Sequence, residues 1–316
     1  MEGSVLYMEN KQKETLGTRL SVDFKKNWQL YVMIFPILVY FFIFSYLPMV
    51  GIVISFQDFS PALGILKSPF IGLKNFTDFF SSYYIGRLIR NTILISVMTL
   101  IFSFPCPIIL ALLLNELRGK RFKKTVQTIS YLPYFISLVV ICGLVKNFTG
   151  EDGAITQIVT FFGGPKQDLL ANPALFRPIY VMSDIWQNIG FNSIIYIAAL
   201  SGVNQELYEA AAIDGAGRWK QTLHVTLPGI APTVIIMLIL AIGNAFNVGY
   251  EKIILLYNSM NMETADVIQS FVYRKGLIDA NYGYSTAIGL FNSVINTVLL
   301  LAANKVARKV SETSLF

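Results

Sequence analysis

The chain has 316 residues, of which 54% are hydrophobic and 14% are charged, and it carries a formal net charge of +6. A soluble domain of this length does not contain so much apolar sequence, so the composition indicates an integral membrane protein. The positive charge does not indicate nucleic-acid binding, because the lysines and arginines cluster at the ends of apolar stretches, where they mark membrane topology.

The first 28 residues are polar and mixed in charge. No cleavable signal peptide is expected, because the apolar run that follows is too long for the hydrophobic region of one. The segment is expected to be cytoplasmic and either loosely ordered or on the membrane surface. The first apolar span should therefore remain as an anchor.

Six stretches are long enough to cross a hydrocarbon core, which takes about 20 helical residues. They predict an all-α integral membrane protein with six transmembrane helices. The membrane domain is expected over residues 29–310, followed by a C-terminal tail of residues 311–316. Prolines interrupt the first three stretches and should bend the second. The predicted spans cover residues 30–54, 88–114, 126–145, 179–200, 229–248 and 285–306.

The orientation follows from where the positive residues lie. They are concentrated before the first span, between the second and third spans, and after the sixth. Because such residues stay on the cytoplasmic side, the N- and C-termini are both predicted to be cytoplasmic, together with the link between spans four and five. The longer links are then external. They suit a surface that receives a soluble binding protein, although plain solvated loops fit them equally well.

The cytoplasmic link of residues 204–228 contains a short helix of unusual composition. Asn204 is placed to cap this helix, acidic residues follow in its first turn, and Gly215 is the expected left-handed stop. The alanines leave one face almost free of side chains, so another backbone can come close. The helix over residues 205–214 is therefore predicted to dock to a partner. The alternative is an ordinary amphipathic loop helix.

This link resembles the EAA loop of ABC importer permeases, in which Glu-Ala-Ala, Asp-Gly-Ala and Leu-Pro recur at fixed spacing. The resemblance implies that the loop couples the permease to a cytoplasmic ATPase. Thr222 and Leu223 depart from the pattern, because many relatives carry aromatic residues there. The coupling positions implied for this chain are Glu209, Ala210, Ala211, Asp214, Gly215, Ala216 and Leu223.

The fourth span is the most polar of the six. A charged group at mid-span costs about 2.5 to 3.5 kcal/mol on insertion scales, so polar groups that persist there tend to line water or a substrate path. Helical spacing places a carboxylate, two amides and an aromatic ring on one stripe, which suits sugar hydroxyls and the apolar face of a pyranose. Hydrogen bonds that merely join helices are the alternative. The predicted substrate path comprises Tyr134, Ser137, Asp184, Gln187, Asn188, Phe191, Phe246, Asn247 and Tyr250.

The resemblance extends from about residue 27 to near the end of the chain. Span four and the start of span five look like the maltose-type permease subunit, and its sugar-contacting positions fall on part of the predicted path. Residues 36–59 and 282–291 look like the opening and closing spans of the LplB-type polysaccharide permeases.

This family implies a type I ABC importer permease fold in a bacterial plasma membrane. It implies a homologous second permease, two copies of a cytoplasmic ATPase that holds ATP and magnesium, and an external solute-binding lipoprotein. Oligosaccharide cargo and membrane lipid complete the expected partners. The chain itself should be non-catalytic and bind no cofactor, because its sequence contains no phosphate-binding loop.

Two other functions stay open at this point. A lone membrane carboxylate permits an ion-coupled secondary transporter with Asp184 as the proton carrier, although the chain shows no convincing internal repeat. A membrane enzyme such as a glycosyltransferase would need clustered acidic residues or metal ligands. The single histidine, with no cysteine cluster, argues against a metal centre.

Overall fold

The computed structural model describes the backbone of residues 16–310 and 314–315, with side chains described from residue 24 to 309 and at 314–315. The first 15 residues of the predicted N-terminal segment and most of the predicted tail lie outside this range. The chain divides into two compact units, Met1–Ile54 and Ser55–Phe316, and each is taken by itself.

The first unit is one long helical stretch. Helix α1 covers Leu16–Phe41 and departs from helical geometry at Asn27, where φ is −120°. It continues through a π-turn into the short helix α2, Leu47–Met49. The stretch Phe24–Phe56 is long and apolar enough to cross a membrane, as the first predicted span requires. Residues 16–26 are helical, so of the two alternatives expected for the N-terminal segment the loosely ordered one is wrong for them, and a place on the membrane surface stays a prediction.

Wide turns accommodate prolines inside the long helices. Three π-turns, Phe42–Tyr46, Thr99–Ser103 and Thr222–Thr226, each end two residues before a proline. Proline has no N–H to donate and its ring clashes with the preceding turn, so a widened turn lets the helix continue. In the second span, where a bend is predicted at the prolines, the π-turn Thr99–Ser103 lies ahead of Pro105 and the stretch stays one span.

In its described part, the second unit consists of helices joined by loops, with an isolated β-bridge between Gln57 and Phe70. The two short helices that precede its first long helix are α3 (Gly64–Lys67) and α4 (Lys74–Phe80). The helices that follow are α5 (Ile85–Met98), α6 (Pro105–Glu116), α7 (Lys120–Tyr131), α8 (Leu138–Thr149), α9 (Ala154–Phe161), α10 (Pro173–Ser201), α11 (Gln205–Ile213), α12 (Arg218–Gln221), α13 (Leu227–Gly243), α14 (Tyr250–Leu256), α15 (Met262–Ala265), α16 (Ile268–Tyr273) and α17 (Tyr282–Val310).

Four helical stretches of the described chain are long and apolar enough to cross a membrane, or five if one bent pair counts as a single span. The bent pair joins Lys120–Phe135 to Leu138–Phe161 at an angle of 102°. The third predicted span is therefore broken, because Ile136 is extended and Ser137 caps the next helix. The unbroken stretches are Phe24–Phe56, Ile85–Glu116, Arg218–Gly243 and Tyr282–Lys309.

Two further predicted spans differ from the structure. The fourth lies within α10, which has 29 residues but is too polar to belong to the apolar set. The fifth was predicted to reach Val248, whereas α13 ends at Gly243. After Gly243 the backbone N–H of Phe246 donates to Oδ1 of Asn296 in α17 at 3.0 Å, so it does not continue the helix.

Three clusters of buried apolar side chains hold the second unit together. One, around Phe176, joins α5, α8, α10 and α14. Another, around Phe79, joins α4, α5, α16 and α17. The third, around Tyr196, joins α6, α10 and α13. At Gly190 of α10, the backbone of Ser130 in α7 is so close that a side chain would collide with it.

Candidate functional site

A cavity of about 680 Å³ lies between α5, α6, α10, α13 and the segment that joins α13 to α14. Helix α10 forms its polar wall with Asp184, Gln187 and Asn188, which are three and four residues apart and so share one helical face. The amide Nδ2 of Asn188 donates to Oδ1 of Asp184 at 2.8 Å, so each side chain orients the other. These three residues of the predicted stripe do face one open space.

The segment after α13 forms a second wall of the cavity. Asn247 and Tyr250 line it, as predicted. Oδ1 of Asn247 accepts hydrogen bonds from Asn292 and Asn296 of α17, each at 2.9 Å. Asn247 therefore has a structural role as well, since it fixes the non-helical segment against α17.

Four of the predicted path residues do not line this cavity. Tyr134 and Phe191 stack on each other, with ring centroids 3.8 Å apart and planes 3° apart. One face of the Phe191 ring is thus covered, so this face cannot stack on a pyranose while Tyr134 stays in place. Ser137 caps α8 by accepting from the backbone N–H of Val140. Phe246 packs against the apolar cluster around Phe79.

Sequence reasoning missed Lys252, which also lines the cavity. Only 4% of its surface is exposed, and Nζ lies 5.3 Å from the centroid of the Tyr180 ring. Its ammonium group has no hydrogen-bond acceptor among the residues that the structure describes. A buried ammonium group without a hydrogen-bond acceptor is costly, so its position indicates a function. The available signal was a single lysine directly before the apolar run 253–256.

The polar groups of the cavity suit an organic ligand rich in hydroxyl groups. Amide side chains and tyrosine both donate and accept hydrogen bonds, while Met237 and Leu240 add apolar wall. Within the described ranges, no three His, Cys, Asp or Glu side chains are grouped so that they could hold a metal ion. A sugar matches this lining better than a cation does.

The second feature of the site is the loop that carries α11. Oδ1 of Asn204 accepts from the backbone N–H of Glu206 at 3.0 Å, which confirms the predicted N-cap. Gly215 has φ of +76°, in the left-handed region that ends helices, which confirms the predicted stop. Helix α11 therefore begins and ends through local capping chemistry.

Specific contacts attach this loop to the helices on either side of it. The hydroxyl of Tyr208 lies 3.0 Å from Oγ1 of Thr226, which is buried at the start of the helix that leaves the loop. Arg218 lies 3.7 Å from Glu116, at the end of α6. Tyr208 also packs on the apolar cluster around Tyr196. These contacts join the loop of α11 and α12 to α6, α10 and α13.

The opposite face of the loop is exposed. Ile213 and Trp219 expose 86% and 74% of their surfaces, and sequence reasoning missed both. Large apolar side chains this exposed on a short polar loop indicate a surface that meets a partner. The predicted coupling residues are exposed at Glu209, Ala210, Asp214, Gly215 and Leu223 and half-buried at Ala211 and Ala216.

Comparison with known proteins agrees with a chain that has both a polar cavity and an exposed loop. Residues 80–312 match the family described as binding-protein-dependent transport system inner membrane component. The chain is 41% identical over 314 residues to the polygalacturonan/rhamnogalacturonan transport system permease protein YteP of Bacillus subtilis (strain 168), across 99% of this chain and 96% of that protein. It is 43% identical over 293 residues to protein LplB of the same organism, across 92% of each chain.

Solved structures give the same result for the fold. A crystal structure of a bacterial ABC transporter involved in the import of the acidic polysaccharide alginate contains a chain with a TM-score of 0.85 and 42% identity, across 92% of this chain and 99% of that chain. A bacterial alginate ABC transporter in complex with an alginate pentasaccharide-bound periplasmic protein gives a TM-score of 0.86 and 41% identity, across 94% of this chain and 100% of that chain. The chain therefore belongs to the family of binding-protein-dependent transport system inner membrane components.

Proposed function

We propose that this chain is a permease subunit of an ATP-driven importer of oligosaccharides in a bacterial plasma membrane, and that it forms half of the translocation path. The observation that carries this proposal is the pairing of a polar cavity with an exposed docking loop on the same helices, α10 and α13. Such a subunit needs both a place for the cargo and a contact with the ATPase. Family membership supplies the class of transporter.

We infer six membrane spans, with both termini and the α11 loop on the cytoplasmic side. A count of six takes the bent pair as one span and adds α10, which is too polar to pass as a span by apolarity alone. Its 29 residues extend roughly 43 Å at 1.5 Å per residue, which exceeds a hydrocarbon core of about 30 Å. Its polar face lines the cavity, so these side chains need not meet lipid.

In this proposal the exposed face of α11, with Ile213 and Trp219, docks into a cytoplasmic ATPase. Two copies of that ATPase bind ATP and magnesium, and one of them contacts a homologous second permease. When ATP draws the ATPases together, α11 moves with its ATPase and tilts α10 and α13 through the Tyr208–Thr226 contact. The cavity then opens outward to receive sugar from an external binding lipoprotein, and hydrolysis reverses the movement.

The cargo that we propose is an acidic oligosaccharide. YteP is named for polygalacturonan and rhamnogalacturonan, and the structural relatives belong to transporters for alginate. The buried ammonium of Lys252 has no hydrogen-bond acceptor in the described chain, which suits a carboxylate on the cargo, and it shares the lining of the central cavity with the carboxylates Asp184 and Glu251. Asp184 and the neighbouring amides are then available to sugar hydroxyls.

The comparisons give no support to the ion-coupled alternative with Asp184 as a proton carrier. YteP is named as a transport system permease, and the two structural relatives belong to ABC transporters. The name of LplB states no function. The two functions differ in energy source. Uptake driven by ATP in the absence of an ion gradient separates them.

The test is reconstitution of the chain with its second permease, its ATPase and its binding protein in proteoliposomes. We expect uptake of labelled trigalacturonate only when both ATP and the binding protein are present. Glu209→Gln should retain assembly and ATP hydrolysis but lose most of the uptake, because the docking helix no longer follows the ATPase. Glu151→Gln, an equivalent change at an exposed carboxylate outside the loop, should behave as wild type. ATP-independent uptake, or full uptake with Glu209→Gln, would contradict the proposal.

A further inference from the structure

A second cavity, of about 650 Å³, lies where the amino ends of α5 and α10 meet α15. Three arginines line it, Arg87 and Arg90 from α5 and Arg177 from α10. Like charges collected around one small space repel each other, so this arrangement needs a compensating negative charge. The central path does not use any of these residues.

The carboxylates of the protein only partly compensate these arginines. The buried side chain of Asp266 accepts from Arg87 at 3.3 Å and from Arg274 at 2.7 Å, so two guanidinium groups share one carboxylate. The other carboxylate at the cavity is Glu263. Four arginines therefore meet two carboxylates, and two positive charges are left over.

Arg90 and Arg177 carry this excess charge. Across residues 24–309 the structure shows no ion pair for either of them. Arg177 donates instead to the neutral Oδ1 of Asn91 at 2.8 Å. Its Nε, like that of Arg87, is buried without an acceptor in the described chain. The protein itself does not satisfy these guanidinium groups.

The arrangement is nevertheless built and not a loose surface patch. Asn91 is 1% exposed, and its Nδ2 donates to the backbone carbonyls of Glu263 and Asp266, each at 2.8 Å. This fixes the Asn91 oxygen toward Arg177. The guanidinium of Arg87 lies 5.2 Å from the ring centroid of Tyr84, which holds it over an aromatic face. Arg87 and Arg177 are therefore preorganised before any ligand arrives, while Arg90 is exposed beside them in the lining.

The position of the second cavity along α10 indicates on which side of the membrane it lies. Arg177 is near the amino end of α10, whereas the docking helix α11 follows its carboxyl end. Arg177 and Ser201, the last residue of α10, are roughly 36 Å apart at 1.5 Å per residue. In the orientation proposed above, the arginines are on the outer face, where a binding protein delivers its cargo.

We propose that this cavity is a recognition site for the uronate carboxylates of an acidic oligosaccharide at the outer end of the path. The inference rests on the proposed function and deepens it. A carboxylate is planar and accepts two parallel hydrogen bonds from one guanidinium group, which is the partner that Arg90 and Arg177 lack. The ring of Tyr83, exposed over 92% of its surface at the rim, offers a face to the pyranose.

The direct test is equilibrium dialysis of labelled trigalacturonate against the complete transporter in nanodiscs of phosphatidylcholine, without binding protein. We expect wild type to bind in a salt-sensitive way, and Arg90→Gln and Arg177→Gln each to weaken binding at least tenfold. Arg90→Lys should recover part of the affinity, because it keeps the charge but loses the paired hydrogen bonds. Arg90 is exposed, so its variants test the site even if Arg177→Gln fails to fold.

Two controls isolate the carboxylate. Lys166→Gln removes a positive charge from an exposed residue that pairs with Asp152, and it should leave the affinity unchanged. Fully methyl-esterified trigalacturonate keeps the rings but loses the charges, so it should bind wild type weakly and be insensitive to Arg90→Gln. Equal binding of the ester and the acid would overturn the proposal, as would no measurable binding of the acid to wild type.

Uptake in proteoliposomes separates this proposal from the proposed function. If wild type imports trigalacturonate with ATP while both arginine variants retain wild-type affinity, the arginine site is wrong and the importer stands. If wild type imports no oligosaccharide at all, the proposed function fails. If the variants lose only their affinity for the binding protein, the arginines meet an acidic surface of that protein, and the uronate proposal is overturned.

Discussion

Removal of the Tyr208 hydroxyl should weaken the mechanical link between the docking loop and the membrane helices. This hydroxyl lies 3.0 Å from Oγ1 of Thr226, which is 3% exposed. A hydrogen bond of this kind contributes about 0.5 to 1.5 kcal/mol net. Thr226 keeps a long second contact to the carbonyl of Gln221 at 3.4 Å, so the loss should fall near the middle of that range. About 1 kcal/mol corresponds to roughly a fivefold change in an equilibrium.

The assay is the number of sugar molecules imported per ATP hydrolysed, measured in proteoliposomes that contain the complete transporter. Tyr208→Phe should lower the number of sugar molecules imported per ATP about fivefold, while ATP hydrolysis itself continues. Tyr131→Phe removes a hydroxyl for which the described chain shows no hydrogen bond, and it should leave the ratio unchanged.

A double-mutant cycle with Thr226→Val tests whether the Tyr208 and Thr226 hydroxyls contribute to coupling through the same contact. The double variant should lose little more than either single variant, with a coupling energy of about 1 kcal/mol. A wild-type ratio in Tyr208→Phe, or strictly additive losses in the cycle, would refute the idea that this contact transmits the movement.

Three further outcomes are expected. Gly190→Ala should lower the thermal midpoint of the complex, because the added side chain meets the α7 backbone at a cost of about 1 to 3 kcal/mol. Gly143→Ala adds a side chain where there is open space, so it should leave the midpoint unchanged. Equal midpoints for the two variants would contradict the close packing at Gly190. Asp266→Asn should lower the free energy of unfolding in detergent by about 3 kcal/mol, since it leaves Arg87 and Arg274 without their shared carboxylate. A decrease below about 1 kcal/mol would contradict the importance of this ion pair. Lys252→Met should weaken import of trigalacturonate far more than import of its methyl ester, and equal effects on both would argue against a role in carboxylate binding.

The docking helix could be located from sequence because its limits are set by local chemistry. An asparagine cap and a left-handed glycine act within a few residues of each other, so the spacing from Asn204 to Gly215 determines α11 without any tertiary contact. The polar stripe of α10 was equally readable, since helical periodicity places Asp184, Gln187 and Asn188 on one face.

Features that depend on tertiary packing could not be obtained in this way. The sequence predicts a continuous span over residues 126–145, whereas the structure breaks it at Ser137, between α7 and α8. Tyr134 covers the Phe191 ring because the chain turns there, which periodicity alone does not reveal. The arginine cavity is a stronger case, because Arg87 and Asp266 are 179 positions apart and meet only in the folded chain.

The most direct test of the coupling role is cysteine cross-linking in the assembled transporter. Ala210→Cys places a reactive group on the exposed face of α11, and Leu66→Cys places one on a residue that is 99% exposed in a predicted external link. With the native cysteines Cys106 and Cys142 replaced by serine, a short reagent that carries a maleimide for the cysteine thiol and a succinimidyl ester for a lysine amine should join Ala210→Cys to the ATPase subunit and leave Leu66→Cys unlinked to it. Absence of that cross-link at Ala210, or its appearance at Leu66, would contradict the account.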